Sequence, residues 1–134
     1  MTNVNASLDK LSISSFNCRG LRDKLKRNSV FNWLKSKYLG LFFLQETHSI
    51  GTDESIWTKE WNGKIYFSHG NSQSKGVAVL IPEVLVGIVN VSQVTSDPEG
   101  RFIVLDCEIE GNAMVLFNIY APTKDKVNSQ LNFF

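Results

Sequence analysis

Apolar and polar positions along the chain fall into two periodicities, and their order predicts a mixed α/β architecture. Leu11–Asn17 carries apolar residues at 11, 13 and 16 among serines, a strand signal that ends at Asn17. Cys18-Arg19-Gly20 then supplies a turn. From about Asp23 to Tyr38 the period becomes helical, with Val30, Trp33, Leu34 and Tyr38 on one face. Lys26, Arg27, Lys35 and Lys37 lie mostly elsewhere, and Gly40 fits just past the helix end. Leu41–Leu44 is an uninterrupted run of large apolar side chains that turns abruptly into Gln45-Glu46-Thr47-His48. A short continuous apolar run of this kind predicts a strand buried on both faces. Strand, helix and strand together predict a βαβ unit with a right-handed crossover if the strands are parallel.

Thr47–Asn62 reads as a long connection, with Trp57 and Trp61 at i, i+4 on one helical turn. Beyond it the chain is rich in strands. Lys64–His69 and Gly76–Ile81 form a hairpin across the polar turn Gly70–Lys75. Val84–Thr95 alternates imperfectly and ends at Asp97-Pro98-Glu99-Gly100, a strong turn signal. Arg101–Glu110 returns through Gly111-Asn112 into Met114–Tyr120, which is apolar on both faces and is expected to be central. Pro122 stops that strand, Thr123 suits a helix N-cap, and Val127, Leu131 and Phe134 begin an i, i+4, i+7 stripe. The stripe reaches the last residue without a stop signal, so a truncated domain is expected. Residues 1–10 read as a loose leader and 11–134 as the N-terminal portion of one domain, without internal repeat or linker.

Composition narrows the class. A chain that is 43% hydrophobic and 11% aromatic is globular. Its net charge of +1 gives no global bias toward an acidic partner, but seven of the fourteen basic residues crowd into Arg19–Lys37, with only Asp23 among them. Two cysteines, Cys18 and Cys107, make neither a disulfide framework nor a metal-ligand spacing. The first ten residues hold no apolar signal segment, and no stretch approaches the roughly 20 apolar residues that span a bilayer. An intracellular, reducing compartment is expected, with no membrane partner.

Candidate chemistry lies at the strand ends. Asn17, Glu46 and Tyr120 each follow an apolar strand, and if those strands are neighbours in one sheet the three converge on one rim. One carboxylate with a carboxamide oxygen and waters suits Mg²⁺, which takes few protein oxygens. A tyrosine hydroxyl could orient a phosphate oxygen. The bland alternatives are a loop glutamate after a core strand, an asparagine satisfying a turn and a core tyrosine with a bonded hydroxyl.

The blocks SFNCRGLRDKLKRNSVFNWLKS, LFFLQETH, SKGVAVLI, DPEGRFIVLDCEIEG and LFNIYAP, in that order, resemble the endonuclease/exonuclease/phosphatase superfamily, most closely the endonuclease domain of non-LTR (LINE-type) retrotransposons. The resemblance implies an α/β (α+β) four-layer sandwich of two mostly antiparallel sheets flanked by helices. It implies a monomer that nicks DNA with Mg²⁺ (or Mn²⁺), without an organic cofactor, in the nucleus. Asn17 would line the active site, Glu46 would hold the metal and Tyr120 would contact the scissile phosphate. Arg19, Arg22, Lys24, Asn118 and Thr123 are the candidate phosphate or DNA contacts, and Asn118 could instead support the tyrosine. Thr123 stands where relatives place asparagine. The family's later Asp-x-Asn and Ser-Asp-His motifs have no counterpart, and His48 and His69 match neither role. The isolated chain is therefore expected to be an inactive fragment. The alternatives are a dead remnant that binds nucleic acid weakly, or a phosphatase or lipid phosphodiesterase of the same superfamily.

Overall fold

The computed structural model describes residues 11–37 and 40–121. Strand β1 (Ser12–Asn17) leads into helix α1 (Lys24–Lys35) and strand β2 (Gly40–Gln45). Helix α2 (Glu54–Trp61) is followed by β3 (Lys64–Ser68), β4 (Val77–Ile81), β5 (Val89–Ser96), β6 (Phe102–Ile109) and β7 (Asn112–Ile119). Two sheets result, one in the order β1-β2-β4-β3 and the other in the order β5-β6-β7. Among the described residues only the β1–β2 pairing is parallel. The expected pair of mostly antiparallel sheets is thus present. Among the described residues no helix is long and apolar enough to cross a membrane.

β2 is buried along nearly its whole length because it is covered twice. Phe42 and Leu44 face α1 and α2, packing with Leu21, Phe31, Leu34, Trp57, Trp61, Ala78 and Leu80. Leu41 and Phe43 face the second sheet, among Val77, Val79, Ile103, Leu105 and Leu116. Each such side chain contributes roughly 1.5–3 kcal/mol by leaving water, so this double cover fixes β2 more firmly than any cap could.

α1 starts where Asp23 accepts the Lys26 N–H at 2.9 Å. Its buried face is Arg27, Phe31 and Leu34 rather than the expected Val30, Trp33 and Leu34, and Tyr38, the fourth residue expected there, lies outside the described residues. Trp33 is half exposed, held edge-on by Phe16 and covered by the Lys37 ammonium at 4.4 Å. Arg27 belongs inside because Glu60 of α2 pairs with it through Nε at 2.6 Å and Nη2 at 3.0 Å. Its guanidinium also lies over the Trp57 ring. Trp57 and Trp61 are core residues of a two-turn helix.

Two strands differ from their sequence pattern. The Val84–Thr95 segment begins as a 3-10 turn over Glu83–Leu85, because Pro82 fixes the entry and Leu85 plugs into the inter-sheet core; β5 starts only at Val89. β7 is an edge strand among the described residues, not a central one. Its inner face carries Leu116 and Asn118, while Val115, Phe117 and Ile119 remain exposed on the outer face. Apolar residues on both faces therefore do not mean two covered faces here. The Glu110-Gly111 turn into β7 has both residues at positive φ, +53° and +79°, the two-residue hairpin geometry that matches strand twist. Thr123 and the Val127, Leu131 and Phe134 stripe lie outside the described residues.

Candidate active-site rim

The parallel register places Asn17 opposite Gln45, so Glu46 follows one residue beyond the paired ends of β1 and β2. Asn17 Nδ2 donates to Glu46 Oε2 at 2.8 Å, while Asn17 Oδ1 accepts the Arg19 N–H at 3.1 Å. This orientation of the amide puts its donor on the carboxylate and its acceptor on an N–H. Asn17 therefore aims Glu46 and shapes the turn after β1 at once.

The backbone around this pair is unusual. Arg19, Glu46, His48 and Lys75 all have left-handed φ values, +52°, +55°, +59° and +63°, although none is glycine. Such residues persist only where their surroundings over-determine them. Here Gly20 N–H donates to Glu46 O at 2.6 Å and Leu21 N–H to Thr47 O at 3.0 Å. On the other side Thr47 N–H donates to Gly76 O and His48 N–H to Lys75 O. Three loops, 17–21, 45–49 and 74–77, are thereby locked edge to edge. Gly20 is obligatory for this, since a Cβ there would meet His48 Nδ1 at 2.6 Å.

Lys26 Nζ donates to Cys18 O at 2.7 Å and to Arg19 O at 3.3 Å, so it closes the turn beside Glu46. Burial pushes His48 below the usual imidazole range; Glu46 pulls it back up while Lys26 and Arg22 push it further down. The His48 ring stands over Gly20. Burial drives the Cys18 thiol up to about 12, with Lys26 lowering and Glu46 raising it, so Cys18 is an inert neighbour.

The whole sandwich superposes on a solved structure, that of truncated TDP2 from Caenorhabditis elegans. The TM-score is 0.62 at 23% identity, over 87% of this chain and 48% of that one. The chain has an endonuclease/exonuclease/phosphatase-like fold. In sequence, this endonuclease/exonuclease/phosphatase-like domain is 36% identical over 118 residues to the transposon TX1 uncharacterized 149 kDa protein of Xenopus laevis. The match takes in 84% of this chain and 8% of that protein. No protein-family model matches.

Within the endonuclease/exonuclease/phosphatase-like frame, the expected trio is divided between the two sheets. Asn17 and Glu46 meet on the first sheet, whereas Tyr120 follows β7 of the second. Tyr120 is partly buried against the inter-sheet core, and its N–H donates to Arg101 O at 2.7 Å. The three strand ends therefore do not share one sheet, as the sequence suggested: two belong to the first sheet and one to the second. Asn118 corrects a second expectation. It is 2% exposed, and both amide N–H groups donate to main-chain carbonyls, of Leu44 at 3.1 Å and Ala78 at 2.8 Å. It has no donor left for a phosphate and no surface to offer one.

The basic candidates differ in how they are held. Arg22 Nη1 is paired with Asp53 at 2.5 Å and reaches His48 O at 3.4 Å, so it braces the loop after β2. Arg19 and Lys24 are exposed. Three rim residues were missed from sequence: Gln45, Lys26 and Lys75. Gln45 had a signal, a polar residue closing a buried strand, but the others depend on loop geometry that no period reports. His69 is elsewhere, between Ser49 Oγ at 2.8 Å from Nδ1 and Glu54 Oε2 at 2.6 Å from Nε2.

Proposed function

We propose that this rim is the Glu46 side of a divalent-cation site in a transposon-type DNA endonuclease, with Mg²⁺ (or Mn²⁺) as the cofactor. The observation that carries the reading is the Asn17–Glu46 pair on a left-handed strand end, held by three interlocked loops. The donor chemistry fits the ion, because Mg²⁺ favours one or two carboxylates with water and substrate phosphate making up the rest. Among the described residues no three His, Cys, Asp or Glu side chains gather into a metal-holding group, so the reading rests on Glu46 with water and substrate oxygens. When bound, the cation neutralises charge on the phosphate under attack.

The chain's own residues then have separable tasks. Glu46 holds the ion, Asn17 orients Glu46 and Tyr120 contacts the scissile phosphate. Arg19 and Lys24, with Lys26 behind them, favour a polyanionic backbone, which would make binding salt-dependent but indifferent to sequence. Arg22 is a weaker candidate because Asp53 already takes its charge. A Thr123 contact with DNA stays part of the proposal without structural support. The chain spans about half of the TDP2 structure and 8% of the TX1 protein. We therefore take the isolated chain to bind cation and DNA weakly without turning over, as one monomeric portion of a larger nuclear enzyme.

The test has two arms. Titration of the chain with Mn²⁺, followed by electron paramagnetic resonance, should show one weak site that Glu46→Gln removes. Supercoiled plasmid incubated with the chain and Mg²⁺ should stay intact. Cation binding indifferent to Glu46→Gln would sink the site assignment. Plasmid nicking that Glu46→Gln abolishes would overturn the silence of the isolated chain, and phosphoinositide or sphingomyelin turnover would overturn the substrate class.

A further inference from the structure

Between the two sheets the core is apolar from Leu41 and Ile81 through Leu105 and Leu116, with buried polar side chains at its margins, Ser68 and Asn118 among them. Asn118 sits at the end of the core nearest Glu46, against Leu44 and Gln45. Its Nδ2 donates to the carbonyls of Leu44 and Ala78, which face one another across β2 and β4. Its Oδ1 accepts from Gln45 Nε2 at 2.8 Å. Gln45 Nε2 lies equally close, at 2.8 Å, to Ser15 Oγ on β1. One amide of β7 therefore ties together β2 and β4, and through Gln45 it reaches β1. The two β2 residues it grips, Leu44 and Gln45, immediately precede Glu46.

We propose that Asn118 and Gln45 are a positioning pair. They fix the end of β2 so that Glu46 is held left-handed, with its carboxylate against Asn17, and they thereby set the strength of cation binding. The assignment rests on the cation reading above for its second half only. Three observations support it. A left-handed glutamate, at φ +55°, is strained and has to be imposed by its neighbours. A buried carboxamide with both donors and its acceptor satisfied is a rigid clamp, since moving it would leave its own buried polar atoms unpaired. An apolar side chain at 118 would continue the core but could not bond Gln45, so the polar choice is explained by what it holds.

The test uses Gln45→Met and Asn118→Leu, both close to the native volume. The first readout needs no cation: the side-chain ¹⁵N–¹H₂ signals of Asn17, which report its bond to Glu46. Both variants should shift those signals toward solvent-exposed positions and weaken Mn²⁺ affinity about tenfold, while urea unfolding of Gln45→Met stays two-state. Gln45 is partly exposed, so Gln45→Met keeps the test decisive if Asn118→Leu does not fold. Asn17 signals that do not move in folded Gln45→Met overturn the positioning role. Signals that move with Mn²⁺ affinity unchanged within twofold overturn its link to the cation. Signals that move in a protein whose wild type binds no Mn²⁺ support positioning of Glu46 and refute the cation reading instead.

Discussion

Arg27 offers the sharpest energetic test of the fold. Its side chain is almost fully buried between α1 and α2, paired with Glu60 through two hydrogen bonds. Its remaining nitrogen, Nη1, donates to Leu21 O at 3.0 Å and Arg22 O at 3.1 Å. The same group therefore joins two helices and fastens the loop that carries Arg19 and Gly20. Arg27→Met keeps most of the aliphatic packing on Trp57 but strands a carboxylate and two carbonyls. Removing one partner of a buried pair costs about 3–5 kcal/mol, and Glu60 keeps some solvent access, so a loss of about 3 kcal/mol is expected. Replacing both partners, as Arg27→Met/Glu60→Leu, removes the stranded carboxylate and should recover about half, leaving about 1–2 kcal/mol for the carbonyls. Urea unfolding followed through the buried Trp57 and Trp61 would measure all three. A single-variant loss under about 1 kcal/mol, or a double variant no better than the single, would refute the reasoning. Acid supplies an internal check. The Arg27 hydrogen bonds hold Glu60 below the ordinary carboxylate range, against the opposing effect of burial. The pair's contribution is thus present above that ordinary value and fades as pH falls through the lower folded one. The gap between wild type and Arg27→Met should narrow over that interval.

Gly100 and Gly111 both have φ near +75° to +79°, but a Cβ at Gly100 would meet His69 O and Gly70 main-chain atoms at 2.6–2.7 Å, while Gly111 faces open space. Gly111→Ala should cost about 1–2 kcal/mol from conformation alone, and Gly100→Ala clearly more; equal urea midpoints would contradict this. Arg101 hydrogen bonds hold Asp97 below its ordinary range, outweighing burial, so its stabilisation is lost as pH falls through the folded value. Asp97→Asn should be less stable at pH 7 and flatter in acid, and an unchanged acid limb would refute the assignment. Cys18, driven up to about 12 by burial, and Cys107, raised by burial and Asp106, should both react slowly with Ellman's reagent at pH 8 until urea is added. Rapid labelling of native protein would contradict the burial.

What could be read from the chain follows from which forces leave a local pattern. β2 was legible because burial on both faces demands an unbroken apolar run, and Glu46 because that run stops. The 110–111 hairpin was legible from Gly111. The face of α1 was misjudged because Arg27 was counted as polar; its burial depends on Glu60, which no helical period connects to it. β7 was taken for central because sequence records apolarity and not which neighbours cover it. The Asn17–Glu46 contact was suggested by strand ends, but its geometry comes from four left-handed residues, and no side-chain pattern encodes those. Tyr120 joins the pair on the same strand-end argument, but which sheet its strand enters is decided by pairing that no local pattern records.

The interlocked left-handed residues also set thermodynamics against chemistry at one position. At φ +55°, glycine or asparagine would fit residue 46 with less strain than glutamate does. A library selected only for folding should therefore enrich Gly or Asn at 46, and should do so before it touches the buried core. A library selected for cation binding should keep Glu46 and accumulate compensating stability elsewhere, in places such as exposed helix positions. On the proposed cation reading, Glu46 in a population of drifting copies is then the residue whose loss makes the protein sturdier, so the rim would empty of its chemistry before the sandwich weakens.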